Sequence, residues 1–234
     1  MRTGDSIAAG LSSMGLSFSL DEIELLAKHW EAVIAQNRTL NLTSVRPEDG
    51  VVLHVLDSCT ASEVLAEAPS GRFADIGSGA GYPGIVLSVV SGRPVDLVES
   101  TKKKAAFLQS VVEELCLNAT VRPIRAEELA LEHRGEYSAV TARAVAPLAA
   151  LVELAAPLLT LGGLLICLKG APSPEEVRAS EVAARLCGMG PGQAREAAVP
   201  GLDARRTLFV FARTGRPRLA LPRRPGMAQT RPLA

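Results

Sequence analysis

Apolar positions recur along this chain with two periods. Ile23, Leu26, Trp30, Val33 and Ile34 return at helical intervals behind Ser19-Leu-Asp-Glu22, a serine with an acid three positions on. That is capping-box spacing, and it predicts a helix over residues 20–36. A second helical pattern over residues 47–66 carries Val51, Val55, Leu56, Val64 and Leu65 and stops before Pro69-Ser-Gly71. From Arg72 the texture changes. Short β-branched or apolar runs at 72–76, 95–99, 120–125, 138–142, 164–169 and 207–212 alternate with helical patterns at 83–90, 101–117, 147–159 and 174–187. The alternation predicts βαβ units, hence an α/β fold with a mostly parallel sheet and helices on both faces. Neither an internal repeat nor a long linker divides it. The expected organisation is a helical N-terminal extension (1–70), one α/β domain (71–213) and a tail (214–234).

Composition narrows the class. With 47% apolar and 21% charged residues among 234, the chain can bury one core. Phe 5, Tyr 2 and Trp 1 leave that core to Ala, Val and Leu, and provide no broad platform for stacking bases. Cys59, Cys116, Cys167 and Cys187 are widely spaced and form no C-x-x-C pair, so neither zinc nor redox chemistry is indicated and no metal is expected. The opening residues lack a basic segment followed by an apolar run, and no later run reaches the ~18 apolar residues of a membrane span. A cytoplasmic protein without a membrane partner is expected. The net charge of zero is unevenly spread: residues 201–234 hold 8 basic and 1 acidic side chains, residues 1–70 hold 4 and 10. A basic tail suits a polyanion, because each Lys or Arg near a phosphate releases counterions. After Thr214 the chain is Pro-rich with few apolar anchors, and it reads as disordered.

The chemistry gathers at the first strand. It runs into Asp75-Ile-Gly77-Ser-Gly79-Ala-Gly81-Tyr-Pro83-Gly84, a turn whose glycines let a ligand lie against the main chain. Gly79-x-Gly81-x-x-Gly84 also satisfies the dinucleotide fingerprint, and Glu99 closes the second strand where a ribose-binding carboxylate belongs. An NAD(P)-dependent oxidoreductase is therefore one reading. The other is S-adenosylmethionine, which has no phosphate but carries a sulfonium and an amino group, and which a carboxylate such as Asp75 favours. After the third strand, Arg125-Ala126-Glu127-Glu128 offers a backbone N–H and a carboxylate to an adenine edge.

The segment after the fourth strand, Thr141-Ala-Arg143-Ala-Val-Ala-Pro147, faces the place where ligands react in such sheets. It lacks the Asn/Asp-Pro-Pro-aromatic turn that holds an exocyclic amine, and it holds no cysteine nucleophile for pyrimidine carbon 5. A ring nitrogen with a free lone pair, such as guanine N7, needs neither device, and positioning would carry most of the catalysis. His54 and Asp57, at i and i+3, either pair with each other or reach a site. Lys169 closes the fifth strand, either snorkelling or facing the cleft. Lys102, Lys103 and Lys104 open a helix against its dipole, which favours a phosphate contact over a merely solvated run.

Several ordered segments over roughly residues 30–212 resemble the bacterial small-subunit rRNA guanine-N7 methyltransferases, the glucose-inhibited division protein B family. They are Asn41-Leu-Thr43, His54-x-x-Asp57-Ser58, the glycine turn, Glu99, Lys103-Lys104-x-x-Phe107-Leu108, Arg125-Ala-Glu127, Arg143-Ala144 and Leu168-Lys-Gly170. The resemblance implies a class I S-adenosylmethionine-dependent methyltransferase, Rossmann-like, in which Gly77, Tyr82, Ala126, Glu127 and Arg143 contact the cofactor, with Gly79, Gly81 and Glu99 as in the wider fold. It implies methylation of one 16S rRNA guanine by a cytoplasmic enzyme with no metal; the zero net charge and scarce aromatics add an expectation of weak affinity for naked RNA, hence the 30S subunit or a late precursor as substrate, and a monomer is expected. No dedicated general base follows from the resemblance; Arg143 and Lys169 are possible contributors, and Lys102–Lys104 with Arg205 and Arg206 are RNA-binding candidates. The remaining alternative is an inactive RNA-binding module of the same fold.

Overall fold

The computed structural model describes residues 2–203 and 206–233. Four helical pieces precede the sheet. They are α1 (Thr3–Ser13), α2 (Leu20–Leu40), a π-helical stretch (Val51–Leu56) that runs into α3 (Asp57–Cys59), and α4 (Ser62–Glu67). Then come β1 (Phe73–Ile76), α5 (Gly84–Ser91), β2 (Val95–Val98), α6 (Lys102–Glu114), β3 (Ala119–Arg122), α7 (Ala126–Glu132), β4 (Tyr137–Arg143), α8 (Leu148–Ala155), β5 (Leu159–Lys169), α9 (Pro174–Cys187), β6 (Gln193–Ala197), β7 (Arg206–Ala212) and α10 (Met227–Thr230).

The seven strands lie in the order β3-β2-β1-β4-β5-β7-β6. The five strands from β3 to β5 are parallel, and β7 runs antiparallel to β5 and β6. The order reverses between β1 and β4, so a crevice opens beyond their carboxyl ends. Every residue of β1 and β2 is buried, and successive residues serve opposite faces. Phe73 and Leu97 pack with Ile7, Leu26, Ile85 and Leu108 on one side; Ala74, Ile76 and Val98 pack with Leu129, Leu151 and Ala183 on the other. The expected α/β sheet with helices on both faces is what the chain adopts.

Local chemistry accounts for the boundaries. Ser19 caps α2 by accepting from the Glu22 N–H at 3.2 Å, while the Glu22 carboxylate accepts from the Ser19 N–H at 2.7 Å. The helix then runs one turn past the expected residue 36, to a left-handed Asn41. β3 stops at Arg122 because Pro123 has no N–H for the ladder, and α8 ends two residues before Pro157. The single helix expected over 47–66 is instead a π-helical stretch and two short helices, a widened backbone that turns His54 and Asp57 together toward the crevice. Helix α1, helix α7 and strand β6 are additions to the expected pattern, all short or weakly periodic.

The tail differs most from expectation. Residues 214–233 lie against the body rather than in solvent: Leu221 and Ala228 are buried in the second core, and the Arg218 N–H donates to Leu186 O at 2.8 Å. Two spaced apolar anchors suffice there because Arg223 meets the buried carboxylate of Glu153, its Nε 2.6 Å from Oε1. Among the described residues no helix is long and apolar enough to cross a membrane.

Candidate active site

A cleft of about 1000 Å³ opens beyond the carboxyl ends of β1, β4 and β5. The turn after β1 supplies Gly77, Gly79 and Tyr82, the end of β4 supplies Arg143 and Ala144, and the end of β5 supplies Lys169. Residues 41–45 and the π-helical stretch close the opposite wall, with Arg206 from β7.

The glycine turn is built from below and from the side. Asp75 pairs in register with Thr141 of β4, whose hydroxyl donates to Asp75 Oδ1 at 2.7 Å, and the Ser78 hydroxyl donates to the Asp75 carbonyl at 2.7 Å. Burial pushes the Asp75 carboxyl up to about 6 against those hydrogen bonds. Asp75 is fully buried beneath the turn and does not line the cleft, so its carboxylate props the loop instead of meeting a cation directly. Gly77 has φ +70°, and a Cβ there would sit 2.4 Å from the Val145 side chain. Gly81 is glycine for another reason: a Cβ would meet Ile85 and the His29 ring, so it serves the packing of α2 and is not part of the cleft lining.

Glu99 ties the turn to the next helix. Its Oε2 accepts from the Gly79 N–H at 3.0 Å and its Oε1 from the Thr101 N–H at 2.7 Å. A carboxylate has further lone pairs, so two hydroxyls of a ribose remain within its capacity. The same arrangement disfavours a pyrophosphate. The Gly79 amide that would cradle it is already engaged, and the engaging group is an anion. Glu99, Ala126 and Glu127 stand beyond β2 and β3, along the same sheet edge but outside the lining of the main cleft. The Glu127 carboxylate accepts from the Gly226 N–H of the tail at 2.7 Å.

On the β4 side a buried polar network surrounds Arg143. Its Nη1 donates to Leu53 O and to Asp57 Oδ2, each at 3.0 Å, and its Nη2 donates to His54 Nδ1 at 2.8 Å. Asp57 Oδ1 accepts from Arg206 Nε at 2.7 Å. Since a guanidinium only donates, His54 Nδ1 is the acceptor, and a neutral ring then gives its Nε2 proton to Thr43 Oγ1, 2.8 Å away. Burial above all, then the Arg143 and His29 charges, pulls the His54 imidazole down to about 3. Its ring stacks on Tyr82 at 4.7 Å, and Tyr82 carries Arg143 at 5.3 Å on cation–π terms. His29 adds a second ring to Tyr82 at 4.6 Å; burial lowers it to about 4, and its Nε2 meets the Ala80 carbonyl at 2.8 Å, holding the glycine turn from behind.

Of the residues singled out from sequence, Gly77, Gly79, Tyr82, Arg143, Lys169, Arg206, His54 and Asp57 come together here. His54 and Asp57 do not pair with each other; both bind Arg143. Lys169 does not snorkel outward: Nζ lies 2.7 Å from Glu176 Oε1 of α9, which also accepts from the Leu148 N–H. Lys102 and Lys103 are exposed and Lys104 is half-buried, and none forms an ion pair among the described residues. Arg205 lies outside the described residues. Sequence reasoning passed over His29 and Glu176, and quoted Thr43 only within the Asn41-Leu-Thr43 segment, with no role of its own. The one available signal was Asn37, whose side chain bonds the Thr43 backbone in both directions at 2.9 Å and so shapes the 41–45 wall. Ala144, at φ +55°, holds the β4 exit in a strained conformation beside Arg143, a form of pre-organisation common at ligand sites.

The strand order, the reversal at β1 and β4 and the glycine turn closed by Glu99 define a class I S-adenosylmethionine-dependent methyltransferase fold. Solved structures agree: a predicted O-methyltransferase from Agrobacterium tumefaciens matches with TM-score 0.53 at 21% identity, over 71% of this chain and 82% of that one. A T. thermophilus 16S rRNA N2 methyltransferase in complex with AdoMet and guanosine matches with TM-score 0.51 at 20% identity, over 72% and 41%. The family model described as rRNA small subunit methyltransferase G matches residues 22–201. Proteins named ribosomal RNA small subunit methyltransferase G are 38% identical over 95% of this chain and 96% of the protein from Carboxydothermus hydrogenoformans, and 40% identical over 98% and 99% for Roseiflexus castenholzii. The chain belongs to the glucose-inhibited division protein B family of rRNA small subunit methyltransferases.

Proposed function

We propose that this enzyme transfers the methyl group of S-adenosylmethionine to N7 of one guanine in 16S rRNA, acting in the cytoplasm as a monomer on the 30S subunit or a late precursor. The observation that carries the cofactor half is the Gly79 N–H to Glu99 contact, which supports a phosphate-free nucleoside on the turn and speaks against NAD(P). Bound there, S-adenosylmethionine supplies an electrophilic methyl on a sulfonium. Gly77 and Gly79 would admit it against the backbone, Glu99 would hold its ribose, and Ala126 with Glu127 would read its adenine. Arg143 stands at the mouth of the cleft, 15% exposed and fixed by three acceptors and a ring face, so its remaining freedom is small and its contribution is orientation. N7 attacks with a lone pair and loses no proton, so the neutral, deeply depressed His54 need not act as a base. A thiolate route to a pyrimidine carbon has no support, since burial pushes the Cys59 thiol up to about 12 and raises Cys167 as well. Arg206, at the rim, and Lys102–Lys104, on the same edge of the sheet, are the phosphate contacts of this reading.

The test is transfer of labelled methyl to small subunits from a strain lacking the modification. The expected product is 7-methylguanosine at a single site, abolished by Gly77→Asp, whose side chain would collide with Val145 from a left-handed backbone. Tight cofactor binding with no label in RNA would discard the rRNA guanine as acceptor.

A further inference from the structure

The tail from Leu221 to Thr230 is bound at both ends of a short bridge. Arg223 grips the carboxylate of Glu153 on α8 with two hydrogen bonds, Nε at 2.6 Å, and Glu153 is 3% exposed. Three residues on, the Gly226 N–H donates to Glu127 Oε1 at 2.7 Å in the first turn of α7. Arg134, just after α7, donates to the Leu221 carbonyl, and Arg223 also donates to Arg231 O at 2.8 Å, closing the strap on itself. Leu221 and Ala228 anchor it in the same core as Ala126 and Leu129. A basic, proline-rich segment that looked suited to RNA thus spends a buried ion pair on the helix pair next to the adenine-reading turn. Among the described residues, its backbone hydrogen bond to that turn goes to the carboxylate of Glu127.

We propose that residues 221–230 are a positioning element for the adenosine half of the cofactor site: the Glu153–Arg223 pair holds Gly226, and the Gly226 N–H fixes the Glu127 carboxylate so that it accepts from the exocyclic amine of adenine. The inference rests on the cofactor reading above. One oxygen tied to a backbone amide restricts the side chain to a single orientation while leaving acceptor capacity for the purine. Loss of the strap leaves Glu127 free to rotate into water, and the site then distinguishes adenine from a purine with a carbonyl at that position less well.

The experiment is titration of S-adenosylhomocysteine and S-inosylhomocysteine into wild type, Arg223→Gln, Arg223→Lys, Glu127→Gln and the Arg223→Gln/Glu127→Gln double variant, with thermal unfolding as a check on fold. Arg223→Gln is expected to weaken S-adenosylhomocysteine binding about tenfold and to shrink the adenine preference by a similar factor, with little further loss once Glu127 is already changed, because coupled residues are non-additive. KM for the methyl donor should rise while kcat at saturation stays within about twofold, since the strap touches no reacting atom. Arg223→Lys, which keeps the charge, should recover part of the affinity and reads the same coupling if the glutamine variant does not fold. Unchanged affinity and unchanged purine preference with a tail newly open to protease would overturn the inference. So would additive effects, or a loss confined to RNA affinity. Failure of wild type to bind S-adenosylhomocysteine would instead overturn the cofactor reading itself.

Discussion

Two buried aspartates in this chain are each flanked by two arginines, and they stand in different parts of the fold. Asp96 lies in the amino-terminal half of β2, 1% exposed, with Arg122 Nε at 2.8 Å, the Tyr137 hydroxyl donating at 2.8 Å, and Arg72 at 3.6 Å, too long for a hydrogen bond. Asp57 lies on the short helix after the π-helical stretch, its side chain 6% exposed, with Arg206 at 2.7 Å and Arg143 at 3.0 Å. The chemistry is nearly the same; the location is not. Asp96 joins three strands outside the cleft lining, whereas Asp57 lines the cleft at the carboxyl ends. Position relative to the strand ends, not the type of cluster, separates a strut from a site.

That contrast can be broken by exchanging one carboxylate at a time. Asp96→Ala leaves the Tyr137 hydroxyl without its acceptor and two arginines without their carboxylate, and is expected to lower unfolding free energy by about 3 kcal/mol, near the low end for breaking a buried pair because both guanidinium groups are partly exposed. Urea unfolding measures the loss. Methyl transfer per folded molecule should be unchanged at 20 °C. Asp57→Ala should invert the pattern: kcat/KM falls about 100-fold, roughly 2.7 kcal/mol of transition-state stabilisation, while stability falls by less because Arg143 keeps Leu53 O and His54 Nδ1 as acceptors and Arg206 is partly exposed at the cleft. Equal stability losses with equal activities would mean that both aspartates are struts.

The centre of the sheet was legible because β1, β2 and β4 are buried on both faces and read as apolar runs between periodic helices, whereas the exposed edge strand β6 left no such run. The glycine turn and Glu99 were legible because a close backbone approach and a strand-end carboxylate leave marks at fixed spacing. What could not be read is long-range. Nothing local announces that Asp57 meets Arg206 across 149 positions or that Arg143 reaches back 90 residues to Leu53. The π-helical widening that brings His54 to Arg143 has the same hydrophobic pattern as an ordinary helix. Asp75 shows the converse error. A carboxylate beside a cofactor turn looks like a ligand, but its register opposite Thr141 buries it under the loop. The tail misled because a few anchors, Leu221 and Ala228, and one partner, Glu153, were enough to outweigh a composition that favours disorder.

The smallest expected effect concerns protons, and it separates the two clusters again. His54 is held down to about 3 and His29 to about 4, so at neutral pH both are neutral in folded and unfolded chains and their contribution to stability is fully present above the unfolded value near 6.5. As pH falls through 6.5 the unfolded chain takes up protons that the fold refuses, and stability drops. Each such histidine removes about 1 kcal/mol between pH 6.5 and 5.5. Asp75, raised to about 6, works in the opposite sense: the folded chain keeps a proton the unfolded chain loses, so its contribution grows as pH falls toward 3.8. Two histidines outweigh one aspartate, and the wild-type chain should lose stability over that step. His54→Gln should lose about 1 kcal/mol less than wild type across it, measured by urea unfolding at the two pH values. Because the Asp96 cluster contains no histidine, Asp96→Ala should shift the whole curve down without altering its slope in this window. A change of slope in Asp96→Ala, or none in His54→Gln, would show that the acid response does not originate in the cleft network around Arg143.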